Sequence, residues 1–536
     1  MKLQLLSLAA ALGAQLVAAE DPAIKSTPFL GGGDRGGDRG GHHGGDRDDD
    51  RGHGRGKKLT PEKLMREIDI KDLRRGAQKL EDLAYATPER NRVFGTKAHN
   101  DTVDFLYNEL KKTGFYEVSK QEQVHLWSKS ESTFSVNGEE KESAPMTYSP
   151  SGDAKDTELV LVNNLGCTPE DYPPELSGKI ALILRGECDF GLKAALAGSA
   201  QAVGAVIYNN IAGSLSGTLG APSNPAGPYA PTVGISKEIG DDLVARLGSE
   251  ALKANLYTHS EFQNRTTFNV IATSKVGNQD NIVSLGGHSD SVEAGPGIND
   301  DGSGIIGNLV IAKALTRFKK FPNAVRFFFW TAEEYGLLGS QFYVDSLTPE
   351  ERDKIRLYLN FDMTASPNYA TQIYDGDGST FNFTGPSGSA EIEKLFQTYF
   401  EKQNKPHIPS EFNGRSDYDA FISVGIPAGG IFTGAEGIKT EEQAKLFGGT
   451  AGIAYDPNYH AVGDNMTNLN EEAWLQNTRG AAFAVATYAL STEGLPPKDP
   501  PPPEAEMKAA VVGGVRKVAK PFDRDCAHAC GRRCTI

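Results

Sequence analysis

His288, Asp290, Asp300 and Asp301 crowd into GGHSDSVEAGPGINDDGSG (286–304), a glycine-rich stretch with hardly any bulk to bury. Further along, Glu333 and Glu334 stand side by side in WTAEEYG, and Asp362 follows the apolar run KIRLYLNF. Carboxylates held this close repel one another unless a cation compensates them. Nitrogen and carboxylate donors without thiolates suit zinc, and cobalt or manganese fits the same set. A buried site of this type could polarise a carbonyl or activate a water.

The elements that must position these residues are legible in the apolar pattern. NQDNIVSLGGHSD, NAVRFFFWTAEEYG and KIRLYLNFDM read as buried strands, with GSGIIGNLVIAKALTRF and GLLGSQFYVDSL between them as helices. This alternation predicts an α/β domain: a mainly parallel mixed sheet with helices on both faces. Ligands then bind beyond the carboxyl ends of the strands, where His288, Asp290, Glu333, Glu334 and Asp362 all fall. Upstream, apolar residues recurring at three and four positions predict amphipathic helices that end near Gly114.

Between about 131 and 261 the character changes to short β-rich runs, ELVLVNN, KIALILRG and GAVIYNN, with a single helix, FGLKAALAGSAQAVG. SGKIALILRGECDFGLKAALAGSAQAVGAVIYNN resembles the protease-associated domain in its strand, its RGxCxF turn, its alanine-rich helix and its second strand. That resemblance implies a disulfide between Cys167 and Cys188 and a peptidase, or a related receptor, as host.

GGHSDSVEAGPGINDDGSG, WTAEEYGLLGS, LNFDM, GRSDYDAF, GGIFTGAEG and GGTAGIAYDPNYH, in that order, resemble the secreted zinc aminopeptidases of the M28 peptidase family across residues 262–493. The resemblance implies the zinc peptidase fold with two Zn²⁺ per chain. Asp300 would bridge the ions, with His288 and Asp362 completing one site and Glu334 and His460 the other. Family register selects Asp300 over Asp301 and implies a cis peptide bond between them. Asp290 would accept the other ring N–H of His288, Glu333 would be the general base, and Tyr459 would donate to the oxyanion. Glu333, Asp362 and the backbone at Arg415 would hold the substrate ammonium, and Met363 and Phe432 would line an apolar, leucine-preferring pocket. The cysteines that flank the Tyr-His pair in smaller bacterial members are missing here; Asn458 stands at one position.

The expected organisation is a signal peptide at 1–19 and a low-complexity or pro-segment at 20–75 that includes His42, His43 and His53. A peptidase domain split into 76–130 and 262–496 follows, with the protease-associated domain at 131–261. A Pro-rich linker and tail at 497–536 carries Cys526, Cys530, Cys534 and His528. N-x-S/T sequons at Asn100, Asn264, Asn382 and Asn465 are compatible with export. The formal net charge of −15 argues against nucleic acid as a partner. No later run of about 20 apolar residues predicts a membrane anchor. The expected protein is a secreted monomer acting on peptides with a free N-terminus. Two rival readings remain: a noncatalytic receptor that keeps the fold, and a carboxypeptidase or glutaminyl cyclase on the same scaffold.

Overall fold

Three nearly continuous apolar runs form the centre of the sheet, as strands covered on both faces must. In the computed structural model, which describes residues 57–499, they are the strands Asn278–His288, Asn323–Trp330 and Ile355–Phe361. The first pairs in parallel with both of the others, His288 opposite Trp330 and Gly286 opposite Asn360. Ala428–Phe432 extends the parallel set beyond Ile355–Phe361. Gln372–Tyr374 joins it antiparallel, and Lys253–Ser274 closes the other side antiparallel to Asn323–Trp330. The sheet is therefore mixed with a parallel centre, as expected.

Helix Gly302–Leu315 is buried along almost its whole length and lies between the sheet and the N-terminal helices. Ile70–Tyr85 reaches it through Gly76, where a β-carbon would come within 2.5 Å of Ile306 Cγ2. Leu64, Leu73, Ala77 and Leu80 are all buried in the same core. The expected boundary between residues 75 and 76 is corrected by this packing, because it falls inside a helix. Thr60 and Asp69 cap the first two helices, accepting from the amides of Lys63 (3.2 Å) and Lys71 (2.9 Å).

The expected boundaries at 130/131 and 261/262 also fall inside regular structure. Strands Tyr116–Val136 and Lys253–Ser274 pair antiparallel over their full length, from Tyr116 opposite Ser274 to Val136 opposite Ala254. They form one ribbon that runs from the peptidase sheet into the inserted region. There, Gly152–Leu161, Ile180–Leu184, Gly204–Tyr208 and Thr232–Ile235 form a parallel succession. Helix Phe190–Ser199 is the expected one, and Lys237–Leu247 is a second that the sequence reading missed. Its buried Leu243, with partly buried Ile239, Val244 and Leu247, packs on Val206 and Val233. These apolar positions are interrupted by Lys237, Glu238, Asp241 and Asp242, which mask the periodicity. Cys167 and Cys188 are joined by a disulfide.

The signal segment, the histidine-bearing tract and Cys526, Cys530 and Cys534 lie outside the described residues. Among the described residues no helix is long and apolar enough to cross a membrane.

Because residues before 76 belong to the core, Leu73→Ala is expected to cost about 2–5 kcal/mol of unfolding free energy in denaturant melts, the usual penalty for a large cavity in a packed interior.

Candidate metal centre

Strand register brings the separated residues to one rim. His288 ends its strand, Glu333 and Glu334 follow Trp330 on the neighbouring strand, and Asp362 lies one residue past Phe361. Asp300 comes from the loop before helix Gly302–Leu315, and His460 from a loop near the last helix, Glu471–Leu490. The Asp300–Asp301 peptide bond is cis.

Asp300 offers one oxygen to each histidine. Its Oδ1 lies 3.1 Å from His288 Nε2 and its Oδ2 lies 3.3 Å from His460 Nε2. On the first side, Asp362 Oδ1 is 3.7 Å and Glu333 Oε2 3.8 Å from His288 Nε2. On the second, Glu334 Oε2 is 3.0 Å from His460 Nε2. His288 is almost wholly buried, whereas the His460 side chain is 39% exposed, so the second side opens to solvent.

Asp301 is used differently from its neighbour. Its Oδ2 accepts from the His288 amide (3.1 Å), and its Oδ1 accepts from the amides of Gly304 (2.9 Å) and Met363 (3.2 Å). The three backbone donors occupy Asp301 with capping its helix and joining two strand ends. This local bonding separates two adjacent carboxylates that spacing alone leaves equivalent.

The electrostatics match a site that recruits positive charge. Burial disfavours the His288 imidazolium, but Glu333, Asp362 and Asp300 outweigh it and hold its pKa well above the ordinary value. His460, also opposed by burial, is pushed up to about 10 by Glu334 and Asp300. Burial raises Glu333 well above the carboxylate range; Glu334 and Asp362 add to the shift while His288 opposes it. Burial also acts to raise Asp300, yet the two histidines hold it below its ordinary value. Asp362 Oδ1 and Glu334 Oε1 are shielded from solvent without a hydrogen-bond donor. Bare acceptors of this kind, beside imidazole nitrogens, fit a divalent cation, and the N/O donor set fits zinc.

Asp290 faces the second ring nitrogen of His288, as expected of it, without closing to hydrogen-bond distance. Its Oδ1 is 3.7 Å from His288 Nδ1, too far for a hydrogen bond, and instead accepts from the Glu333 amide at 3.1 Å. It thereby ties the turn carrying the two glutamates to the strand end carrying His288. Ser416 donates to Asp362 Oδ2 at 2.6 Å, leaving Asp362 Oδ1 toward His288. Arg92, wholly buried, was not anticipated. Its guanidinium donates to the carbonyls of Pro296 and Gly297, with longer contacts to those of Ser289 and Asp290, gathering the glycine-rich loop around one cation. An arginine inside an amphipathic pattern was the available signal, although single arginines are usually solvated.

Tyr459 stacks on His460 with ring centroids 3.8 Å apart. Arg415 donates to the Tyr459 oxygen at 3.1 Å and pairs with Glu436 at 2.7 Å. Its own amide donates to Asn413 Oδ1 at 3.1 Å. Met363 is buried, and Phe432 is half-buried against the aromatic cluster around Trp330 and Tyr358. Their strands are paired, Phe361 opposite Ile431. The cysteine-free loop around Tyr459 is held by amides: Asn458 Nδ2 donates to Asn468 Oδ1 (2.7 Å), and Asn468 Nδ2 donates to Asp456 (2.9 Å) and Asp464 Oδ1 (3.1 Å). Asp464 accepts in turn from the amides of Asn299 (2.8 Å) and Asp300 (3.0 Å), so the two histidine sites share one network. Of the sequon asparagines, Asn264 and Asn382 are exposed. Asn100 is half-buried and donates to the Gly95 carbonyl, and Asn465 Oδ1 accepts from the amide of Thr467.

Histidines and carboxylates converging on the rim of a parallel sheet, with bare buried acceptors, define a metallohydrolase centre. Residues 269–485 match Peptidase family M28, and residues 155–243 match the PA domain. The chain is 61% identical to "Probable leucine aminopeptidase 2" of Aspergillus fumigatus over 442 residues, which is 82% of this chain and 88% of that relative. Among solved structures it is similar to the aminopeptidase from Aneurinibacillus sp. strain AM-1, with 30% identity and TM-score 0.66 over 82% of this chain and 99% of the other. It is also similar to BSAP, a zinc aminopeptidase from Bacillus subtilis, with 26% identity and TM-score 0.56 over 80% of this chain and 96% of the other. The chain belongs to peptidase family M28 and carries an inserted PA domain. With that membership it is an aminopeptidase, a metal-dependent exopeptidase, and zinc is the implied ion.

Removing the shared amide by Asn468→Ala is expected to loosen His460 relative to Asp300 and weaken zinc retention about 10- to 100-fold, as loss of outer support does in other sites. Competition with a chromophoric chelator measures it directly.

Proposed function

We propose that this protein is a secreted, monomeric aminopeptidase holding two zinc ions and releasing apolar, leucine-like residues from the free N-termini of peptides. The observation that carries the reading is Asp300, one oxygen near each of two histidines. The roles follow: His288 and Asp362 would hold one ion, Glu334 and His460 the other, and Asp300 would serve both. Bound zinc would supply Lewis acidity toward the scissile carbonyl and lower the pKa of an attacking water. Leucine preference is supported by the name of the Aspergillus fumigatus relative and by the apolar Met363 and Phe432 beside Asp362.

The chain's own groups divide the remaining work. Glu333 takes the proton from the attacking water and passes it to the departing amine; burial raises its pKa above the ordinary carboxylate value, which favours uptake of that proton. Tyr459 stays protonated, since burial raises its pKa, opposed by Arg415. Because the Arg415 guanidinium donates to the Tyr459 oxygen, the Tyr459 hydrogen is left to donate to the developing oxyanion. Glu333, Asp362 and the backbone at Arg415 form the anionic end that receives the substrate ammonium, and this charge requirement restricts cleavage to the free terminus.

Three outcomes test the reading. Glu333→Gln should keep zinc and fold while losing about 10²- to 10⁴-fold in kcat; wild-type turnover would remove Glu333 from the mechanism. Tyr459→Phe should lower kcat/KM by roughly 10²-fold, the scale of one lost oxyanion donor. Mass analysis of a free-amine peptide and its acetylated twin should find stepwise N-terminal loss from the first alone, stopped by chelation and restored by zinc; loss from the C-terminus would reverse the assigned polarity.

A further inference from the structure

The turn bearing Glu333 and Glu334 is held from a direction that the reaction does not require. Ala332 (φ 54°) and Leu337 (φ 59°) adopt left-handed backbone on either side of the glutamates. Left-handed backbone is disfavoured for residues with a β-carbon, so surrounding contacts must enforce it. Those contacts come from the ribbon leading into the PA domain. At the base of the turn, buried Asn269 accepts from the Thr331 amide at 3.1 Å and donates to the Gly339 carbonyl at 2.8 Å. At its tip, Trp127 Nε1 donates to the Tyr335 hydroxyl at 3.1 Å. Tyr335 directly follows Glu334.

The tip contact is braced on both sides. The Arg265 guanidinium lies 3.6 Å from the centre of the Trp127 ring, and Phe94 meets Tyr335 edge-on at 4.8 Å. Val93, Phe94, Trp127, Ala332 and Tyr335 form a buried cluster of their own. On the far side, a β-carbon built on Gly336 would lie 3.6 Å from the carbonyl oxygen of Gly220, within the PA-matching residues. Thus Tyr335 meets the ribbon, and Gly336 beside it faces Gly220 of the PA-matching residues.

We propose that Trp127 and Tyr335 are positioning residues: their hydrogen bond fixes the left-handed turn that aims Glu333 and Glu334, and so makes the inserted PA domain part of the catalytic scaffold. The inference rests on the roles given above to Glu333 and Glu334. Neither Trp127 nor Tyr335 touches substrate or metal ligands in this account; both act through the backbone of the turn. A purely structural contact would affect stability without selecting the chemical step.

The test is a double-mutant cycle on the zinc-loaded, full-length protein with an unblocked dipeptide. Tyr335→Phe removes one oxygen, and Trp127→Phe removes the N–H. Each should lower kcat roughly tenfold, as sub-ångström misplacement of a catalytic group does, with KM changed less than twofold and zinc content unchanged. The double variant should be no slower than the slower single, because both break one bond. Hydrogen exchange across residues 332–338 should quicken in Tyr335→Phe with the melting temperature nearly constant. Unchanged kcat in Tyr335→Phe, or losses that multiply in the double variant, would overturn the inference. If Trp127→Phe does not fold, the near-isosteric Tyr335→Phe decides alone through its kcat-to-KM split and exchange. Glu333→Gln in the same assay separates the two readings: an inactive Glu333→Gln with an unaffected Tyr335→Phe overturns only the positioning role.

Discussion

Like charge at short range is the constraint around which this molecule is organised. Asp290, Asp300, Asp301, Glu333 and Asp362 are all buried within one rim, with Glu334 beside them. Water screens them poorly there, so their mutual repulsion has to be offset by positive charge or by hydrogen-bond donors. The fold answers in two ways. Some carboxylates are consumed by backbone amides, as Asp301 is, and the others are left facing imidazoles with oxygens bare. The division between satisfied and bare acceptors defines the site more sharply than residue type does.

A parallel sheet suits this task because every strand delivers its last residue to the same edge. His288 and Trp330 end in register, and Asn360 lies opposite Gly286, so three segments arrive together without a long loop. The glycine-rich stretch then needs only to turn back and place Asp300. Arg92 supplies four carbonyls of that stretch with donors from one planar group, which no solvated loop could match in rigidity. The His460 side uses neutral amides instead. Asn468 spans Asp456 and Asp464 where some relatives are expected to use a disulfide, exchanging a covalent closure for a buried hydrogen-bond network.

The sheet strands and the helix after Asp301 were legible because continuous apolar runs leave few alternatives. The residues that converge on the rim were legible from their motifs, while their division between two ions is what the family resemblance implies. What escaped the sequence reading had a common cause: the information lies in partners distant along the chain. Helix Ile70–Tyr85 was divided at residue 75 because its apolar stripe becomes meaningful only against Ile306. The ribbon divides at 131 and 261 in the sequence reading because Lys253–Ser274 loses its alternation in an exposed stretch at residues 261–264 without ceasing to be strand. The spacing of two puts Asp290 beside His288, but nothing local shows that it also accepts from the Glu333 amide 43 residues away. For Arg92 the local pattern could not show that four carbonyls of a loop about 200 residues away would gather on its guanidinium.

The ribbon also changes what the inserted domain means for the molecule. A domain attached through a flexible linker would leave the catalytic rim indifferent to it. Here two strands of 21 and 22 residues pass from one unit to the other without a break, and their pairing fixes the relative register of both. The catalytic turn lies against that ribbon at both its base and its tip. Asp290 holds the Glu333 amide of the same turn from the other side, so the turn is shared between the strand end carrying His288 and the ribbon. Trp127 and Asn269, which make the ribbon's contacts, lie outside the PA-matching residues 155–243, so the ribbon itself is the element through which the insertion and the catalytic turn meet.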